Sequence, residues 1–206
     1  MENPTVIKLK PIEATPESFK EFGQVIEASP DGEECGPNDA QLDLSKGIPR
    51  FYIMNLRNRP HRFSTITHHA SVTQCLGSIG GHVWYLGVAK PSLVDSKEVE
   101  KEKGKMAVQS RFGHYYVPPA IDDVHVFRIA GPKFIKLNCG TWHAGPLFKA
   151  DAMDFYNLEL HDTNLIINGN ELVRKELQMP EMSENCHSSL EASSEGIGNV
   201  RSFSEL

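Results

Sequence analysis

Short runs in which apolar and polar residues alternate recur along the chain, the period-two signature of half-buried strands. Thr5-Val6-Ile7-Lys8-Leu9-Lys10 opens the series, and Gln24-Val25-Ile26-Glu27 and Arg50-Phe51-Tyr52-Ile53-Met54-Asn55-Leu56 continue it. From Phe63 to His69 the alternation sets Phe63, Thr65, Thr67 and His69 on one face and Ser64, Ile66 and His68 on the other. The apolar run His82 to Ala89 and the stretches Val124 to Gly131, Lys133 to Asn138 and Phe155 to Leu160 read as further strands. One stretch reads as a short helix. Thr15 is its N-cap, Pro16 its first residue, Phe19 and Phe22 share a face, and Gly23 ends it. Ser18 stands where a capping box prefers Glu or Gln. Many short strands between Gly/Pro turns, with few helices, predict an all-β barrel or sandwich.

Three stretches break the pattern. Residues 29 to 40 are turn formers and acids, hence a loop. Arg57-Asn58-Arg59-Pro60-His61-Arg62 is a basic loop without interleaved aromatics, and reads as solvated. Residues 95 to 105 hold almost nothing apolar, which predicts a mobile, charged insertion spanning about 92–114. From Met179 the chain turns Ser/Glu-rich, so 1–178 is expected to form one domain and 179–206 a disordered tail.

Composition narrows the function classes. The net charge of −6 argues against a nucleic-acid partner, because phosphate-backbone binding needs clustered Lys and Arg. No apolar run reaches the length of a membrane span, which argues against a membrane partner. The start of the chain lacks a basic region followed by an apolar one, as a secretory signal would need. Cys35, Cys75, Cys139 and Cys186 form no CxxC pair, so reduced thiols and a cytoplasmic address are expected. No nucleophile elbow, P-loop or dinucleotide fingerprint occurs.

The chemistry-bearing stretch is Thr67-His68-His69, followed by Gln74 and then Gly80-Gly81; a second His-bearing turn, Gly140-Thr141-Trp142-His143, lies far downstream. Thr67-x-His69, four residues, Gln74, six residues, Gly81 has the spacing of the first cupin motif. Gly140-x-x-His143 has that of the core of the second. Within the cupins the chain resembles the ureidoglycolate lyase (ureidoglycolate hydrolase) family. The similar segments are Phe19-x-x-Phe22-Gly23-x-Val25-Ile26, Lys46 to Phe51, His69 to Gln74, Val83 to Ala89, Gly140 to His143 with Pro146-Leu147-Phe148, and Asp154-Phe155. The resemblance implies a cupin-type β-barrel (double-stranded β-helix or jelly roll) with a short N-terminal helix. It also implies cleavage of a C–N bond of ureidoglycolate to glyoxylate and urea, as in allantoin catabolism, and a homodimer. The family's acid-Arg-His triplet reads Thr67-His68-His69 here, its Tyr-His-Arg reads Leu137-Asn138-Cys139, and its Asp-Arg reads Glu159-Leu160.

Cupins hold a divalent metal with three histidines and a glutamate. Thr67 and Gln74 replace one histidine and the acid, leaving His69, Gln74 and His143 as a weak metal set, or a metal-free site. His69 is either a hydrogen-bonded barrel histidine or, with His143, part of an acid–base pair titrating near neutrality. The substrate-binding candidates are Arg50 for a carboxylate, Gln74 for a urea carbonyl, Lys136, which alternates with Asn138, and Glu159, which could orient a histidine. His61, His114, His125, His161 and His187 read as structural. Two other readings stay open: a cupin acting on another small polar metabolite, and a non-catalytic binding protein.

Overall fold

A computed structural model describes residues 5–32, 36–97, 99, 107–110, 113–161, 163, 168–171 and 175–178. The expected tail 179–206, Cys35, and the middle of the charged segment (98, 100–106 and 111–112) lie outside the described residues. The elements in chain order are β1 (Thr5–Lys8), β2 (Ile12–Glu13), α1 (Pro16–Phe19), β3 (Gly23–Ile26), β4 (Pro49–Arg57), β5 (Arg62–Phe63) and β6 (Thr65–His68). Then come β7 (Gln74–Ser78), β8 (Trp84–Ala89), β9 (Leu93–Val94), β10 (Val108–Gln109), β11 (Tyr115–Tyr116) and β12 (His125–Ile129). The last are β13 (Phe134–Leu137), β14 (Trp142–Leu147), β15 (Ala152–Leu160), β16 (Asn168–Glu171) and β17 (Lys175–Gln178).

The class is all-β, as the alternation predicts. A six-stranded sheet in the order β16-β6-β14-β8-β12-β2 faces a five-stranded sheet in the order β3-β13-β7-β15-β4. The main core fills the space between them. Trp84, Leu86, Val88, Phe127 and Ile129 come from the first sheet and Val25, Leu56, Leu76, Ile135, Leu137 and Phe155 from the second. Trp84 meets Phe155 edge-on at 5.2 Å between ring centres. Each large sheet keeps its own edge strands, so the described strands form an open sandwich and not the closed barrel expected. No helix among the described residues is long and apolar enough to cross a membrane.

The N-terminal helix is a single turn, held by a complete capping box. The Thr15 hydroxyl accepts the Ser18 N–H at 3.1 Å, and the Ser18 hydroxyl accepts the Thr15 N–H at 3.0 Å. Ser18 therefore closes both arms despite its short side chain, and also donates to the Glu13 carbonyl at 2.8 Å. Phe19 and Phe22 carry the turn into the core.

A second apolar layer lies on the outer face of the six-stranded sheet. Ile66, Ala89, Trp142 and Ala144 from that sheet pack with Tyr116 and Val124, flanked by Ile7, Leu9 and Phe63. The charged segment between 92 and 114 is thus not wholly an excursion. Its ends, β9 and β10, join a three-stranded sheet with β11 between chain neighbours, in the order β10-β11-β9. Tyr116 of that sheet is buried against Trp142. In a further three-stranded sheet, β1-β17-β5, β1 pairs in parallel with β17, Thr5 beside Lys175.

The run from Phe63 to His69 is two strands, β5 and β6, broken at Ser64. In β6 the alternation holds, with Ile66 and His68 buried and Thr65 exposed. His69 lies past the strand end, where the period no longer constrains it, and it too is buried. Both adjacent histidines are therefore inside.

Candidate functional site

His143 owes its position to register. On β14 it stands opposite Thr67 of β6 and Val88 of β8. Directly paired residues share a face, and Val88 belongs to the core between the large sheets, so His143 points into that space. The turn before it is fastened by three hydrogen bonds to two carbonyls. The Thr141 hydroxyl donates to the Phe22 carbonyl at 2.8 Å, the Gly140 N–H to the His69 carbonyl at 2.7 Å, and the Asn138 N–H to the Phe22 carbonyl at 3.0 Å. Gly140 sits at φ +81°, and a side chain there would meet Leu93. The bond from Gly140 to His69 locks one histidine-bearing segment to the other. The two rings lie 5.0 Å apart, tilted by 51°.

The hydrogen bonding of His143 sets its tautomer. Its Nδ1 lies 3.3 Å from the Thr141 carbonyl oxygen, which can only accept. Nδ1 therefore carries the proton and Nε2 the lone pair. Burial pushes the His143 pKa down, and the Thr141 carbonyl opposes that shift. Burial, with His143 and His68 adding, holds His69 at about 3. Two neutral imidazoles at pH 7 thus stand side by side.

A cavity of about 370 Å³ adjoins His143. Thr65 and Thr67 line it from β6, and Asn58, Arg59, Arg62 and Ser64 line it from the basic loop and its continuation. That loop is pinned through its backbone: Asn58 N–H to the Asp151 carbonyl at 3.1 Å, Phe148 N–H to the Arg59 carbonyl at 2.8 Å, and Arg62 N–H to the Pro60 carbonyl at 2.7 Å.

Three other candidates form a separate network. The Gln74 amide donates to Asn157 Oδ1 and Glu159 Oε2, both at 3.1 Å. Glu159 Oε1 accepts from the Tyr52 hydroxyl at 3.0 Å, which accepts from the Asn157 amide at 3.0 Å. Arg50 lies 3.7 Å above the Tyr52 ring and places a guanidinium nitrogen 3.8 Å from Glu159. Glu159 thus anchors Gln74, Tyr52 and Arg50. Register explains the grouping, since Glu159 pairs with Arg50 and Asn157 with Tyr52 across β15 and β4.

Lys136 is brought to neither group. It pairs with Cys75 and Gln24, whereas its neighbour Leu137 pairs with Gln74. Period two therefore sends Lys136 to the opposite face of the sheet from Gln74. There its ammonium donates to Asn138 Oδ1 at 2.8 Å, the partner the alternation predicts. Burial lowers its pKa.

Cupin resemblance raises the question of a metal. Among the described residues no three His, Cys, Asp or Glu side chains converge to hold one. Gln74 commits its amide nitrogen to Asn157 and Glu159, and its buried Oε1 is the one neutral oxygen it could offer. Two imidazoles and an amide oxygen do not fit a tightly held divalent ion.

Two groups escaped the sequence reading. Arg59 and Arg62 are exposed, as the solvated reading expects, but they also line the cavity beside His143. The signal was the adjacency of their loop to β6. The second group surrounds His68, which is fully buried with its ring 4.0 Å from Trp142. Its Nε2 lies 3.2 Å from Nε2 of His114, whose Nδ1 lies 2.9 Å from the Ser110 hydroxyl. Burial, with His114 and His143 adding, holds His68 at about 4. The contact joins residues 46 positions apart across a charged segment, and nothing in local periodicity announces it.

No protein-family model matches the chain, and a search of curated proteins finds no match either.

Proposed function

We propose that the chain is a cupin-type jelly roll acting as a metal-free acid–base lyase of the ureidoglycolate type. The observation that carries this reading is His143: a neutral imidazole with its lone pair on Nε2, beside a cavity lined by both polar and apolar side chains and backed by His69 at 5.0 Å. In the reaction, Nε2 of His143 removes the proton from the substrate hydroxyl. The oxygen closes to a carbonyl as the C–N bond breaks, and its electron pair leaves with the urea nitrogen. The imidazolium then returns the same proton to that nitrogen. Glyoxylate and urea result, with no water consumed. His69 acts through His143 as a positioning residue, because its burial keeps it neutral and spares His143 a second charge. Gln74, Tyr52 and Arg50 gather around Glu159 in a network separate from the cavity.

The test is direct. Purified protein is incubated with ureidoglycolate, with and without added divalent metal, and glyoxylate is followed above the spontaneous background. Release by the wild type is expected, falling roughly 10²- to 10⁴-fold in His143→Ala. No release above background in either condition removes the reading.

The same reading places the protein in the cytoplasm, supported by the free thiols of Cys75 and Cys139. It also expects a homodimer. Exposed Ile48, Phe51 and Ile53 supply an apolar patch for such an interface.

A further inference from the structure

We infer that the cavity between the Asn58–Arg62 loop and β14 is a binding site for a small carboxylate, gripped by Arg59 at its rim and presented to His143. Its place in a reaction rests on the lyase reading above; its existence as an anion site does not.

Charge supplies the first argument. The chain carries a net charge of −6, yet the cavity lining includes Arg59 and Arg62 and, among the described residues, no Asp or Glu. A concave site of one sign in a molecule of the other concentrates ions of the opposite charge. Ser64 and Thr65 add hydroxyls that donate to a carboxylate, while the Thr67 hydroxyl donates to the His143 carbonyl at 3.4 Å. The volume of about 370 Å³ lies at the small end of ligand pockets, which suits an acid of a few carbons.

Preorganisation is the second. Asn58 takes φ +53°, a left-handed conformation that Asn tolerates better than most residues. Its N–H is held by Asp151, the Arg59 carbonyl accepts from Phe148, and Arg62 closes back onto the Pro60 carbonyl. Pro60 fixes its own φ. The backbone is thus set on both sides of Arg59, so the guanidinium is delivered to the rim from a rigid base. Its planar fork matches the two oxygens of a carboxylate.

Arg50, the residue sequence alone favours for this task, is already stacked on Tyr52 beside the buried Glu159 carboxylate. An anion arriving there would meet a negative group. One arriving at Arg59 meets none in the lining. A carboxylate held there also favours the protonated form of His143, the form that must return a proton to a leaving group.

The experiment uses the full chain and oxalate, a planar carboxylate that cannot turn over. Calorimetric titration gives affinity, and NMR follows the imidazole signals. Wild type is expected to bind oxalate with a shift at His143. Arg59→Ala should weaken binding by about tenfold or more, Arg59→Lys should recover part of it, and Arg50→Ala should leave it within about twofold. Oxamide, neutral and of similar shape, should not bind. Arg59 is exposed, so its variants should fold like the wild type, as circular dichroism verifies. Binding unchanged in Arg59→Ala, binding lost in Arg50→Ala, or saturation without a shift at His143 each overturns the site. Oxalate binding in a protein that releases no glyoxylate sustains the site and removes the lyase reading.

Discussion

Lowering the pH from 7 to 5 should cost this protein a large part of its stability, through two adjacent histidines. His68 and His69 are 0% and 8% exposed, and their pKa values are held at about 4 and about 3. In the unfolded chain each takes up a proton near pH 6.5. Between those values the unfolded state binds protons that the folded state refuses. The contribution is therefore complete above pH 6.5 and is lost as pH falls, levelling off only near the folded pKa values. Each residue should account for about 2 kcal/mol between pH 7 and pH 5, together about 4 kcal/mol, against a usual total of about 5–15 kcal/mol. Burial also lowers His61, His114 and His143, which act with the same sign. Urea titrations at pH 7, 6 and 5 give the measurement, with the fluorescence of fully buried Trp84 and Trp142 as the probe. His68→Gln and His69→Gln should each flatten the pH dependence by about 1.4 kcal/mol per pH unit below pH 6. An unfolding free energy that stays level from pH 7 to 5 would refute the reasoning, since it would mean that these rings charge freely in the native state.

Other outcomes follow from the packing. Glu159→Gln replaces an acceptor that serves Tyr52, Gln74 and Arg50, and should cost about 1–3 kcal/mol in a urea titration. Gly23→Ala would drive a methyl group into the Lys136 carbonyl on the neighbouring strand, and should lower stability by about 1–3 kcal/mol or more, visible as a reduced Tm. Thr15→Ala removes the hydroxyl arm of the capping box and should cost about 1 kcal/mol. Phe51→Glu should shift the sedimentation profile toward monomer if the exposed patch with Ile48 and Ile53 joins two copies.

What could be read from the sequence follows the physics of each element. Strands with one wet face announce themselves by alternation, which is why β4 and β6 fall within a residue or two of the predicted runs; β12 and β13 do so as largely apolar runs covered on both faces. The pairing of His69 with His143 was legible only through motif spacing, because it depends on long-range contacts: the register of Thr67 with His143 and the bond from Gly140 to the His69 carbonyl. Faces were legible where a strand continued and failed where it ended. Lys136 and Asn138 point together as the period requires, whereas His69, one step beyond β6, follows no period. Absolute direction was not legible, since alternation alone cannot say which face of β13 turns to the core; the packing of Ile135 and Leu137 between the large sheets decides it. The separate edges of the two sheets likewise depend on long-range pairing that no local pattern encodes.

The pairing of β1 with β17 has a practical consequence for handling the molecule. Thr5 to Lys8 run alongside Lys175 to Gln178, so two stretches far apart in sequence are zipped at a single seam. Clipping either strip should loosen the other, and a fusion partner attached upstream of Thr5 would emerge beside the approach to Lys175. Trimming one strip is thus a perturbation of both, and protease sensitivity should rise at the two together.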